Sequence, residues 1–268
     1  MAWPAALAGL VAVLVALAIE RFGGVLGGLI GTLPTTIVPA ALGLWDGDAG
    51  GFGESMGAVP AGMLLNAGFL WLWRVLPGRL PPGLSLAARL GAMTVLSLGA
   101  WMVAALGLVG GLAWTRGAGV PTLWLGLATL IGLVIAGVAA TLTPRPAPKG
   151  RKRVTVGTLV ARGLLAGLAV GTAIVLKDVG GLVAGGVASV FPAIFLTAMV
   201  SLWISQGEAV PSGAVGPMML GSAAVGGYAL IAAWTFPAVG PWLGTVAAWP
   251  AAVVLTTLPA WAWLRRRR

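Results

Sequence analysis

The residues of this chain that could do chemistry are few, and they come in matched sets. Glu20-Arg21 stands just ahead of Gly23-Gly24, and Lys177-Asp178 stands just ahead of Gly180-Gly181. Each pair is followed by another glycine (Gly28, Gly185), then a hydroxyl (Thr32, Ser189), then a proline (Pro34, Pro192). Thr35 and Thr36 add two more hydroxyls to the first set. A second motif recurs further on, where Gly53-Glu54 precedes Gly57-Ala58-Val59 and Gly207-Glu208 precedes Gly213-Ala214-Val215. Only 8% of the chain is charged, so a recurring charged pair carries more weight here than recurring Gly or Leu.

A proline inside a helix removes one N–H and clashes with the carbonyl four residues back. Pro34 and Pro192 therefore free backbone groups in the middle of apolar runs. Two arrangements satisfy this pattern. In one, the helices are broken, and Thr32, Pro34, Thr35, Thr36, Ser189 and Pro192 form an oxygen-rich substrate site. Irregular backbone of this kind is tolerated in a membrane only where it lines a cavity or is buried in protein. In the other, the helices are Pro-kinked and the hydroxyls bond to their own backbone. Gly23, Gly24, Gly28, Gly180, Gly181 and Gly185 supply small-residue faces on which helices can approach closely.

Glu20, Arg21, Lys177 and Asp178 are candidate gating or coupling groups. The run before Glu20 is roughly 22 Å long at 1.5 Å per residue, short of a bilayer core of about 30 Å. The pair thus falls either within a polar cavity, where ionisable groups are functional by default, or in a turn at the headgroups. Glu54 and Glu208 read as loop acids, either gates or simply solvated. Arg162, early in an apolar run, is expected to snorkel to the membrane surface.

Several chemistries are excluded. There is no Cys and no His, hence no disulfide, no thiolate or imidazole metal site and no histidine base. Gly53-Glu54-Ser55-Met56-Gly57 matches G-x-S-x-G, but a triad would need a histidine. No phosphate-binding loop or zinc-protease motif is present. An enzyme, a cofactor and a metal site are all unexpected.

The elements that would position these residues are membrane helices. Of the 268 residues 59% are hydrophobic, and mean hydropathy is +1.02, whereas a soluble domain carries about 25% charged residues. The expected fold is an all-α polytopic membrane protein. Apolar runs predict nine spans at 4–19, 22–45, 57–76, 85–113, 120–142, 155–176, 179–205, 214–236 and 240–264. The fourth is long enough to hide a tilt or a break. The first lacks the basic start of a secretory signal and has an internal counterpart, so a true helix is expected there.

Lys and Arg set the orientation. Arg74 and Arg79, the Arg145, Lys149, Arg151, Lys152 and Arg153 cluster, and Arg265–Arg268 all fall on one side of a nine-span chain. That predicts the N-terminus outside and the C-terminus in the cytoplasm, in the plasma (inner) membrane. The net charge of +10 is then orientation, not nucleic-acid binding. There are thirteen Trp against one Tyr. Trp3, Trp45, Trp71, Trp73, Trp203, Trp242, Trp261 and Trp263 lie near span ends and are expected to anchor at the interfaces.

The charged-pair, glycine, hydroxyl and proline set keeps an offset of 157 or 158 residues, and the copies begin five spans apart. An odd separation turns the second copy upside down. Residues 1–115 and 155–268 then form inverted four-span repeats, joined by a connecting span and basic loop at 116–154. Inverted repeats are typical of secondary transporters, with the substrate site at the repeat interface near mid-membrane. The expected function is alternating-access transport of a small solute or ion at the contact of spans two and seven. A channel or a membrane scaffold is the alternative, and the lipid bilayer is the only other partner required. Self-association into a homo-oligomer is compatible with this reading. The hydroxyls with Glu20 and Asp178 lean toward a cation; Arg21 and Lys177 with glycine-rich helix starts would suit an anion.

Overall fold

The computed structural model describes residues 2–22, 33–143 and 156–267, and every regular element among them is helical. Ten α-helices follow in order: α1 (Ala2–Phe22), α2 (Val38–Leu44), α3 (Ala49–Val75), α4 (Leu86–Gly117), α5 (Thr122–Leu142), α6 (Val156–Gly180), α7 (Leu182–Ala188), α8 (Ala193–Gln206), α9 (Ala209–Ala252) and α10 (Leu258–Arg266). Among the described residues, six helical stretches are long and apolar enough to cross a membrane, and the apolar outer faces of α4, α5 and α6 leave Val103, Trp124 and Leu164 exposed. This is an integral membrane protein by every length and composition measure. The fourth apolar run contains no break: α4 is one helix of 32 residues.

Helix α3 is the centre. In its most apolar window 72% of residues are buried, against 22% for α4 and α5, so α3 faces protein where its neighbours face lipid. It starts where Asp48 accepts hydrogen bonds from Gly50 N (3.0 Å) and Gly51 N (2.9 Å), an N-cap that satisfies two orphan donors. That cap corrects the reading of Glu54 as a loop acid, because it puts Glu54 in the second helical turn.

Two tryptophans also depart from expectation. Trp73 and Trp203 are buried, not interfacial, with ring centroids 5.9 Å apart. Trp71 and Trp73 lie two residues apart, which is about 200° around a helix at 3.6 residues per turn. Only one of them can face outward, and Trp71 does (42% exposed).

The apolar stretch from Ala209 to Arg266 spans 58 residues, far longer than one crossing, and it doubles back at Gly240, whose φ of 80° breaks the helix. The two arms lie side by side, with Thr235 Oγ1 donating to Gly244 O (3.0 Å) and the Tyr228 hydroxyl 3.1 Å from Thr245 Oγ1. A five-residue π turn, Val253–Thr257, leads the second arm into α10. Helix α1 lies antiparallel to α6, where Gly9 abuts the Gly163 carbonyl and Gly167 abuts the Ala5 carbonyl.

Contacts sort the helix ends into two sets. At one end Trp3 stacks on Trp242, Lys177 meets Asp46, and Arg116 meets Glu54. At the other, Arg89 meets Glu208, Trp263 donates to Thr141, and Arg74 donates to the Ala140 carbonyl and to Thr143. Arg74 thus satisfies carbonyls at the C-terminus of α5, where a cation also suits the helix dipole.

Candidate functional site

The long apolar run at 179–205 is a discontinuous helix. Gly181, at φ 90°, turns the chain from α6 into α7, a left-handed conformation that glycine adopts without strain. Gly185 then lies against Lys177 Cα and the Ala173 carbonyl, so it serves the close packing while Gly181 serves the turn. Helix α7 stops after seven residues, and Ser189, Val190, Phe191 and Pro192 lie between it and α8. Ser189 N reaches back to Gly185 O (2.9 Å), and Ser189 Oγ donates to Gly186 O (2.7 Å).

Helix α3 holds the broken segment from the side. Ser55 Oγ donates to Leu182 O (2.9 Å), at the start of α7. The Asn66 amide donates to Val190 O (2.7 Å), inside the break, and accepts from Trp101 Nε1 on α4 (2.8 Å). An unpaired carbonyl in a bilayer costs several kcal/mol; Asn66 removes that cost for Val190 O, while Ser55 ties the start of α7 to α3. Asn66 is 2% exposed and belongs to no motif. Its signal in the sequence was simply an amide in the middle of an apolar run, where polar groups are costly enough to demand a partner.

Beside the break is a cavity of about 730 Å³. It runs from mid-helix residues Met63, Asn66 and Ser189 to Arg162, Trp261 and Arg265 at the Arg89 end. Thr36 lines it opposite Ser189. Residues 33–37 are a bend and turns ahead of α2, with Pro34 buried among them, and the buried Thr35 hydroxyl has no hydrogen-bond partner. Pro192 is buried behind the lining.

At the Asp46 end, beyond the described cavity lining, aromatic side chains pack the helices together. Phe52 stacks on Phe236 (4.8 Å between centroids), and Trp45 packs edge-on to both, at 5.1 and 5.9 Å. Over them Lys177 Nζ donates to Asp46 Oδ2 (2.5 Å) and to Leu44 O (2.9 Å). That hydrogen bond is the main cause holding the Asp46 carboxyl below its ordinary pKa, aided by the Asp48 backbone N–H. No protein-family model, curated protein or solved structure matches the chain. Its function is therefore argued from this geometry.

The remaining charged candidates scatter. Lys177 pairs with Asp46, not with its neighbour Asp178, which is exposed at the same end. Glu54 and Glu208 are each bound by an arginine, Arg116 (2.5 Å) and Arg89 (2.7 Å), at opposite ends of the single helix α4. Arg162 does not snorkel outward: it is half-buried against the cavity, with Nε 3.3 Å from Thr197 Oγ1. Thr197 on α8 faces this part of α6, so the guanidinium finds a polar neighbour inward. Thr32, Gly23, Gly24 and Gly28 lie outside the described residues. Glu20 and Arg21 belong to the last turn of α1, and their side chains lie outside the description too.

Proposed function

We propose that this protein is a secondary transporter of a small solute, working by alternating access between two inverted four-span repeats. The cavity carries this reading: it is lined by Thr36 and Ser189 from the two Pro-interrupted segments, it reaches the exposed Arg265 at one end, and the residues packed together at the Asp46 end lie outside its described lining. Following the chain between the two sets of helix ends supports nine crossings, with the N-terminus at the Asp46 end and Arg265 opposite. The Lys and Arg distribution then makes the Arg89 end cytoplasmic.

Two contacts support the inverted relation. Gly57 abuts Thr122 and Leu123 at the start of α5, while Gly216, just beyond the second Gly-Ala-Val, abuts Ala140 and Thr141 at its end. Matched motifs thus meet opposite ends of the connecting helix, and α1 and α6, the first spans of each half, lie antiparallel. Such halves exchange roles when one seal opens and the other closes.

The Cys-free chain makes the test clean. Ala198→Cys, in the cavity wall, should react with impermeant thiol reagents from the cytoplasmic side and, more slowly, from outside. Bridging Asp46→Cys to Lys177→Cys with a bismaleimide should abolish only the outside reaction. Access from both sides that survives the bridge indicates a channel. Access from one side only, with or without the bridge, indicates a scaffold.

A further inference from the structure

The described lining of the cavity offers its contents hydrogen-bond donors and positive charge, with no carboxylate among those residues. Resting on the transport reading for its biological sense but not for its test, we infer that it binds an amphipathic organic oxyanion: one carboxylate, sulfonate or phosphate ester on an apolar body.

Arg162 spends only Nε, on Thr197 Oγ1 (3.3 Å), which leaves the two terminal nitrogens of its guanidinium for a ligand. Trp261 Nε1 is buried at the same wall with no partner. Arg265 stands over the Trp261 ring, 5.3 Å from its centroid, at the exposed rim. Most other polar lining groups are engaged within the fold. Ser189 and Ser222 donate to their own helix carbonyls at 2.7 Å, Asn66 bonds to Val190 O, Met63 Sδ and Trp101 Nε1, and the Thr36 hydroxyl adds a further polar group to the wall. No carboxylate occurs among the described lining residues.

A guanidinium fork matches a two-oxygen anion edge-on, and a neutral indole N–H can add one more donor. The rest of the wall is aliphatic and aromatic. The volume falls within the range of about 300–1,000 Å³ that suits small organic ligands. A bare hydrated ion would leave that apolar wall unused, and a cation would meet Arg162. The lining therefore favours an anion over the cation that the hydroxyl-rich spans suggest. A free metabolite-like anion and the headgroup of an anionic lipid share this chemistry.

Three probes with one apolar body separate the charges: 2-naphthoate, 2-naphthalenemethanol and 2-naphthylmethylammonium. Calorimetric titration of the full chain in zwitterionic-lipid nanodiscs should give saturable naphthoate binding, at least about tenfold tighter than the alcohol, with the ammonium weakest. Arg162→Gln should weaken naphthoate about tenfold or more, while Arg162→Lys restores part of it and Arg79→Gln changes nothing. Should Arg162→Gln fail to fold, Arg265→Gln at the rim should lower naphthoate affinity alone among the three probes. Equal binding of all three, preference for the ammonium, or naphthoate affinity indifferent to both arginines overturns the inference. Adding phosphatidylglycerol to the nanodiscs identifies the source. Competition with naphthoate points to a lipid headgroup, no competition to a free anion, and either supports the oxyanion site. Anion binding without alternating access retires the carrier while leaving this site standing. Alternating access without anion preference does the reverse.

Discussion

Replacing Asn66 with leucine tests how the broken segment is held. The substitution keeps the number and branching of side-chain heavy atoms but removes both the donor to Val190 O (2.7 Å) and the acceptor of Trp101 Nε1 (2.8 Å). The two losses differ in weight. Trp101 is 5% exposed, so its orphaned N–H should cost about 1–3 kcal/mol. Val190 borders the cavity, where water can replace the amide, so its loss should stay near the ~0.6 kcal/mol average for hydrogen bonds inside membrane proteins. A total of about 2 kcal/mol is expected, read as the change in unfolding free energy in mixed micelles titrated with sodium dodecyl sulfate. A cycle with Trp101→Phe isolates the larger part. Once the indole N–H is gone, Asn66→Leu should cost about 1 kcal/mol less than in the parent protein. Additive single and double variants, within about 0.5 kcal/mol, would refute the claim that Asn66 is tied to Trp101.

Three further outcomes are expected. On the Cys-free background, Ala118→Cys should label from outside intact cells and Gly78→Cys only after permeabilisation; the reverse pattern would invert the proposed orientation. Asp46, with its folded pKa depressed by Lys177, contributes stability that is present above its unfolded value of about 3.9 and is lost as pH falls through the lower folded value. Asp46→Asn should therefore flatten the fall in thermal stability below about pH 4, modestly, because the side chain is 52% exposed. Gly186→Ala would set its methyl onto the Ser55 carbonyl oxygen, whereas Gly99→Ala meets nothing within 4 Å. The first should lower folded yield by a stability loss of roughly 1–3 kcal/mol or more; the second should be neutral or slightly stabilising, and equal effects would show that α7 is not packed tightly on α3.

Where each feature came from is instructive. The break between α7 and α8 is legible because Ser189 and Pro192 each act locally: a self-bonding hydroxyl and a missing N–H. Thr36 and Ser189 were picked for the same reasons, and both line the cavity. What local chemistry could not supply was long-range partnership. Asn66 gains its meaning from a carbonyl 124 residues away. Arg162 reads as a snorkelling cation until Thr197 and the cavity are seen beside it. Lys177 looks like the partner of Asp178, yet folding brings Asp46 to it from 131 residues away. Glu54 reads as a loop acid from its neighbours alone, and it is the Asp48 cap that brings it into α3.

The sharp reversal at Gly240 bears on how the chain is made. The turn around it, Pro237-Ala238-Val239-Gly240-Pro241, carries no charge and no polar side chain, so only the adjacent Trp242 is suited to hold it at the membrane surface while the first arm waits for the second. The backbone there closes the arms onto each other through Thr235 and Gly244, which lets both leave the insertion machinery as one preassembled hairpin. The nearest charged anchor lies at the far end of the second arm, in the arginine cluster from Arg265 onward, which water holds at that membrane surface. Lengthening the turn with a polar insert would uncouple the arms, and glycosylation of a site carried in the insert would report how often the hairpin enters half-made.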